Sequence, residues 1–216
     1  MDTHTATEHI VEALTKAILD HRLLPGAKLA EQKLADQFGV SRTLIRQALF
    51  QLNQNGLVRM EPARGAFVST PSIEEAKQVF AVRRILEAEL IRQFAAKATR
   101  EDIKALEDHL SVESEHIHTE PHAHNPATST ELLSDFHVHL AALSGNMVLA
   151  EILSSLISRC ALITMMYQSA DSARCSNQEH QGILDALRQK DTEQAAHLMV
   201  QHLLQVEKGL SIHRAL

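Results

Sequence analysis

Cysteine, glycine, proline and aromatic residues are all scarce in this chain of 216 residues. Two cysteines, Cys160 and Cys175, cannot build a disulfide framework or a four-thiolate zinc site. Seven glycines and five prolines are too few for an all-β fold, and far too few for a collagen-like or low-complexity chain. No apolar run approaches the roughly 18 residues that cross a bilayer. The polar, acidic opening MDTHTATEHI offers no secretory signal. Enzyme signatures are missing as well: there is no His-Glu-x-x-His, Gly-x-Ser-x-Gly or Gly-x-Gly-x-x-Gly. A single Glu113-x-x-His116 is not the doubled motif of a di-iron bundle. These absences leave a helix-rich, non-enzymatic protein of the cytoplasm with no membrane partner.

What is present is unevenly placed. Hydrophobic residues make up 44% and charged residues 22%, an ordinary folded composition. Up to Thr70 there are 8 basic and 7 acidic residues, a net +1; beyond it there are 13 and 20, a net −7, and together these give the −6 of the whole chain. The acidic remainder keeps most of the surface off nucleic acid and leaves the first seventy residues free to meet it. Of 14 histidines, all but His4, His9 and His21 follow residue 100. Imidazole is the commonest metal ligand and the side chain that titrates near neutrality.

The periodicity divides the chain. Ile10, Leu14, Ala17 and Ile18 recur at helical spacing, and Pro25-Gly26 then marks a turn. Leu29, Leu34, Ala35 and Phe38 predict a short second helix that Gly39 ends. Ser41 can cap a third helix, whose stripe is Ile45, Ala48, Leu49 and Leu52 and whose stop is Gly56. Two strand-like stretches, Leu57 to Met60 and Ala66 to Ser69, flank the tip Glu61-Pro62-Ala63-Arg64-Gly65. Three small helices and a hairpin make a winged helix-turn-helix. Beyond Pro71 the chain reads as helical, with a capping box at Ser72 and Glu75 and helices near 73–98, 100–117, 129–143, 147–168, 176–189 and 192–212. His116 to Thr130, with Pro121 and Pro126, reads as a loop. The expectation is a mainly α protein: a winged helix-turn-helix over residues 1–70, a linker over 71–75 and an antiparallel six-helix bundle over 76–216.

A helix that enters the major groove must show polar, mostly cationic side chains opposite its buried stripe. The third helix shows Arg42, Thr43 and Arg46 there. Arg42 and Arg46 stand four apart and project together. Each can pair bidentately with guanine or grip a phosphate. Ser41 sits where a helix N-terminus suits a phosphate. Arg64-Gly65 can enter the minor groove, since glycine allows close backbone approach.

The stretch LLPGAKLAEQKLADQFGVSRTLIRQALFQLNQNGLVRMEPARGAFV resembles the winged-helix domain of GntR-family bacterial transcription regulators, from about Ala6 to Ser69 without a gap. By that resemblance Arg42 and Arg46 contact an operator, with Ser41, Thr43 and Gly65 assisting. Gln32 stands where many relatives carry an arginine that reaches DNA, and Leu44 where many carry proline. The rest of the chain is similar to the all-helical effector domain of the FadR-type branch, in its shorter, VanR-like form. The carriers are Val82 to Glu87, Phe136-His137, Leu140, Ser144-Gly145-Asn146, Arg159, Glu179-His180, Asp191 and His202-Leu203.

The resemblance implies a divalent metal on His137, His180 and His202, and three imidazoles suit zinc or nickel. It also implies a fourth, aspartate ligand at a position held here by Leu133. Asp135 is two residues from His137, about 200° round a helix, and does not replace it. Three imidazoles from three helices can meet in a bundle core and leave an open position for water or a carboxylate. A metal-free pocket lined by hydrogen-bonded histidines is the other reading of the same residues. His116, His118, His122 and His124 read as a solvated loop cluster, His139 as pointing away from His137, and Cys175 as a small buried hydrophobe. Arg83 and Arg159 are candidate partners for an acidic effector, because a buried arginine needs an anion; Glu87, four residues on, is the internal alternative for Arg83.

Together these readings predict a homodimeric repressor. It binds double-stranded DNA at a palindromic operator under the control of a small organic acid held in the helical domain. A metal-dependent helical enzyme with an accessory DNA-binding head is one rival. An effector-independent architectural protein is another, and the acidic, histidine-lined second part speaks against it.

Overall fold

The computed structural model describes residues 5–119, 136–167 and 172–212. The chain divides into two compact units, Met1–Pro71 and Ser72–Leu216.

In the first unit α1 (Ala6–Leu19) starts at a reciprocal cap: Thr5 accepts from the Glu8 amide, and the Glu8 carboxylate accepts from the Thr5 amide at 2.6 Å. It buries Ile10, Leu14 and Ile18 as the spacing predicts, with Leu19 rather than Ala17 as the fourth. After β1 (Lys28–Leu29), α2 (Glu31–Phe38) ends at Gly39, whose φ of 66° is the left-handed conformation glycine adopts without strain. Ser41 then caps α3 (Arg42–Gln54) by accepting from the Leu44 amide at 3.3 Å. Ile45, Ala48, Leu49 and Leu52 are completely buried. A turn leads into β2 (Val58–Glu61) and β3 (Gly65–Val68).

The sheet is antiparallel in the order β1-β3-β2, with Ala66 opposite both Leu29 and Met60. Only the last two strands are predicted by the sequence. Two residues make a single period of strand alternation with no repeat, so β1 leaves no local pattern and exists through its pairing with β3.

The second unit holds α4 (Ile73–Ala95), α5 (Arg100–Thr119), α6 (helical over 136–143 in the described residues), α7 (Met147–Tyr167), α8 (Ser172–Arg188) and α9 (Thr192–Ile212). Ser72 caps α4, as the capping box at Ser72 and Glu75 predicts, and residues 73–75 form its first turn. Thr99 and Asp102 exchange capping bonds at the start of α5, and Asp191 caps α9. α5 runs two residues past its expected end near 117, into the segment expected as a loop; the rest of that segment lies outside the described residues.

α4 packs on α9 and α7, while α8 packs on α9 and α5. α4 and α7 run antiparallel: Asn146 donates to Gln93 at 2.9 Å near one end, and Arg159 lies 3.9 Å from Glu75 near the other. The core between them includes Phe80, Leu90, Phe94, Leu106, Phe136, Leu153, Ile163, Leu184, Met199 and Leu203. By length and composition α7 is apolar enough to cross a membrane, contrary to the sequence expectation. It buries Leu149, Leu153, Ile157 and Cys160 to Ile163 in the bundle, as a core helix does.

Candidate functional site

His137 of α6, His180 of α8 and His202 of α9 are all buried, and their ligand atoms lie within 4.8 Å of one another. Nε2 of His202 stands 3.3 Å from Nε2 of His180 and 3.3 Å from Nε2 of His137. Nitrogen ligands about 2.05 Å from a tetrahedral zinc ion stand about 3.3 Å apart, so the spacing suits one ion. The ring of Phe136 stacks on His180 at 4.2 Å and closes one side of the cluster.

Each histidine turns its other nitrogen to a different glutamate. Nδ1 of His137 is 2.5 Å from Glu87 on α4, Nδ1 of His180 is 3.3 Å from Glu113 on α5, and Nδ1 of His202 is 2.7 Å from Glu179 on α8. A carboxylate accepts the Nδ1 proton and leaves Nε2 as a bare lone pair. Three such lone pairs then face one point, an arrangement that a divalent cation satisfies. The donor set therefore fits a divalent metal.

The electrostatics agree. Burial pushes the pKa of His137 down to about 4, against the pull of Glu87 and with help from Arg83. Burial does the same to His202, also to about 4, and shifts His180 downwards. All three are thus neutral at pH 7, the form that binds metal. Burial alone would raise the Glu87 carboxyl, but Arg83 and His137 outweigh it and hold it below the carboxylate range. Burial likewise opposes ionisation of Glu113, yet hydrogen bonds from His109, His180 and Asn177 bring it down to about 2.

The two candidate effector arginines differ. Arg83 is buried and donates from Nε to Glu87 at 2.5 Å, the internal pairing that the four-residue spacing offers; its Nη2 has no hydrogen-bond partner among the described residues. Arg159 is not at the cluster's level: it leans towards Glu75, which lies about 18 Å along α4 from Glu87. His139 is exposed and stacks on His109, apart from the cluster. Cys175 is exposed rather than buried, because α8 begins at Ser172, four residues before the predicted start, and sets it on the outer side of the first turn. Leu133, Asp135, His122 and His124 lie outside the described residues, as do the side chains of His116 and His118.

Spacing alone does not reveal Glu113 and Glu179 as partners of the histidines. The signal for Glu113 is a glutamate on the buried face of its helix, legible only when the helices are packed; Glu179, half-exposed, leaves none.

In the first unit Arg42, Thr43 and Arg46 lie exposed on one side of α3, opposite its buried stripe, and Ser41 is exposed at its start. Arg64 projects from the β2–β3 tip, and Gly65 has a φ of 99°. Gln32 donates to Asp36 at 2.8 Å, along α2.

A winged head whose recognition helix presents arginines, joined to a helical unit with a buried polar centre, defines a ligand-responsive DNA-binding regulator. Residues 6–68 match the family of bacterial regulatory proteins called gntR, and residues 78–205 match the FCD domain. The chain belongs to the GntR family, in its FCD branch, and is a transcription regulator. It is similar to LutR, an HTH-type transcriptional regulator of Bacillus subtilis (strain 168), with 30% identity over 90% of this chain and 96% of that one. It is also similar to the HTH-type transcriptional repressor RspR of Escherichia coli (strain K12), with 24% identity over 96% of this chain and 90% of that one. The solved structure of E. coli McbR/YncC shares the fold, with a TM-score of 0.82 and 20% identity over 98% of this chain and all of that one.

Proposed function

We propose that the protein is a homodimeric repressor of the cytoplasm, without enzymatic activity, that leaves its palindromic operator when a small organic acid binds in the helical unit. Three Nε2 atoms converging on one point carry this reading. His137, His180 and His202 would hold a zinc or nickel ion, which supplies a Lewis-acidic position for a carboxylate. Glu87, Glu113 and Glu179 fix the tautomers, and the free Nη2 of Arg83 is the anion donor nearest in character to an effector carboxylate. Arg159 is assigned to tying α7 to the start of α4. Four of the helices that contribute these residues pack in series, α4 on α9, α9 on α8 and α8 on α5, so a ligand that draws the ring together biases the arrangement of the bundle.

Ser41, Arg42, Thr43 and Arg46 read the major groove in this scheme, and Arg64 and Gly65 the minor groove. Gln32, spent on Asp36, contributes least. An Arg46→Ala protein should bind an operator, selected from a randomised duplex pool, about 10- to 100-fold more weakly by fluorescence anisotropy, while its circular dichroism is unchanged. Undiminished affinity would remove α3 from the DNA.

The dimer surface proposed is the outer face of α4 and α7. Val82, Ile85, Val148 and Ile152 are large, apolar and exposed there, and the antiparallel register sets Ile152 near the level of Ile85. A single exposed apolar residue is ordinary, but a cluster marks a contact. Ile85→Glu should shift the protein from dimer to monomer in sedimentation velocity and weaken operator binding with it. A dimer of unchanged strength would place the interface elsewhere.

A further inference from the structure

Two carboxylates of the head hold four of its eight basic side chains. Glu31, the first residue of α2, sets Oε2 3.3 Å from Nη2 of Arg42 and Oε1 3.5 Å from Nε of Arg46. Glu61, the last residue of β2, sets Oε1 2.8 Å from Nη2 of Arg59 and Oε2 2.5 Å from Nη1 of Arg64. Each glutamate thus spends one oxygen on each of two guanidinium groups. The glutamate side chains are only 22% and 17% exposed, whereas the four arginines are 56–71% exposed. The carboxylates are the anchored partners and the arginines the movable ones. The ring of Phe67 beneath Arg64, 5.4 Å away, steadies the second pair.

We propose that Glu31 and Glu61 set the DNA specificity of the head by standing where phosphates would stand. A carboxylate offers a guanidinium the same charge-assisted bonds as a phosphate. Backbone contacts, the whole of non-specific binding, must therefore displace an internal competitor, and the carboxylate itself repels the approaching strand. A base edge is treated differently. The closest approach of Arg46 to Glu31 is through Nε, at 3.5 Å, which suits its two terminal nitrogens to the bidentate contact with guanine O6 and N7. Glu31 opposes Arg46 on phosphate and orients it for a base. At the wing, Glu61 withholds Arg59 and Arg64 in the same way until the tip is seated.

The inference rests on α3 and the wing being the side that meets DNA, which Arg46→Ala tests separately. Full-length Glu31→Gln and Glu61→Gln proteins are titrated with a mixed-sequence duplex and with the selected operator, over a series of salt concentrations. Each variant should bind the mixed duplex 3- to 10-fold more tightly, an order-of-magnitude expectation, with a log–log salt slope steeper by about 1 to 2 as arginines pass to phosphates. Discrimination between operator and mixed duplex should fall about tenfold, the scale of one base contact. Glu12→Gln, the same charge change on α1, should leave discrimination intact. Mixed-duplex affinity that is unchanged or weaker in both variants, or an equal loss of discrimination in Glu12→Gln, overturns the proposal. If that happens while Arg46→Ala still loses the operator, the DNA-facing surface stands and only the role of the glutamates falls.

Discussion

Chelator-stripped protein should take up one zinc or nickel ion per chain, and a His202→Ala variant should take up none. His202 is the decisive ligand because its Nε2 is the one within 3.3 Å of both others. Without it, His137 and His180 remain as a pair. Four ligands in zinc-finger peptides supply about 10–16 kcal/mol, so one imidazole is worth about 3 kcal/mol, a loss of about 100-fold or more. Glu113→Gln should act more gently. It keeps the shape but weakens the hold on Nδ1 of His180, and an outer partner of this kind changes metal affinity by about 10- to 100-fold.

Stability gives a second readout of the same event. An ion at 100 times its dissociation constant adds about 2.7 kcal/mol to the folded state. At about 2–4 °C per kcal/mol for a chain of this size, stripped protein should melt about 5–10 °C higher when the ion is returned. The His202→Ala protein should show no rise, and His139→Ala, altered on the outer side of α6, should behave as the parent. The measurements are elemental analysis and calorimetric melting of untagged protein. A parent that takes up no metal and gains no stability would return the cluster to the metal-free pocket, the other reading of the same residues.

Sequence reveals this protein where a local rule decides the outcome. Gly39 ends α2 because only a left-handed residue makes that turn, and Ser41 caps α3 because its hydroxyl reaches the Leu44 amide; both follow from neighbours within four residues. The buried stripe of α3 is legible for the same reason. The pairing of Arg83 with Glu87 needs only the pitch of a helix. The meeting of His137, His180 and His202 is different in kind. No periodicity brings together residues 43 and 22 positions apart, and it was the resemblance to a family that named them.

The glutamates lie further out of reach. Glu113 and His180 are 67 residues apart, and Glu87 and His137 are 50 apart. Each carboxylate looks like any charged helix residue until the bundle closes over it. β1 fails for a related reason: its two residues have no pattern of their own and are fixed by a partner nearly forty residues on.

The largest effect on folding should come from Glu87. Its carboxylate is wholly buried, accepts from Arg83 and meets His137, so one side chain satisfies a buried cation and orients a candidate ligand. Glu87→Ala strands the Arg83 guanidinium in a low dielectric, and breaking a buried pair on one side costs about 3–5 kcal/mol. That is a large part of the 5–15 kcal/mol that holds a domain together. The melting transition of the helical unit should fall by about 6–20 °C. The pair itself is a different matter, since an apolar replacement of both partners is often neutral. Glu87→Leu combined with Arg83→Met should therefore recover most of the loss, and chemical denaturation of the single and double variants gives the coupling. The double variant still leaves Nδ1 of His137 without its acceptor, so its metal affinity should stay about 10- to 100-fold low even as its stability returns. Stability and metal affinity recovering together would show that Glu87 serves only the fold. Recovery of stability alone separates its two roles, as neutraliser of Arg83 and as holder of His137.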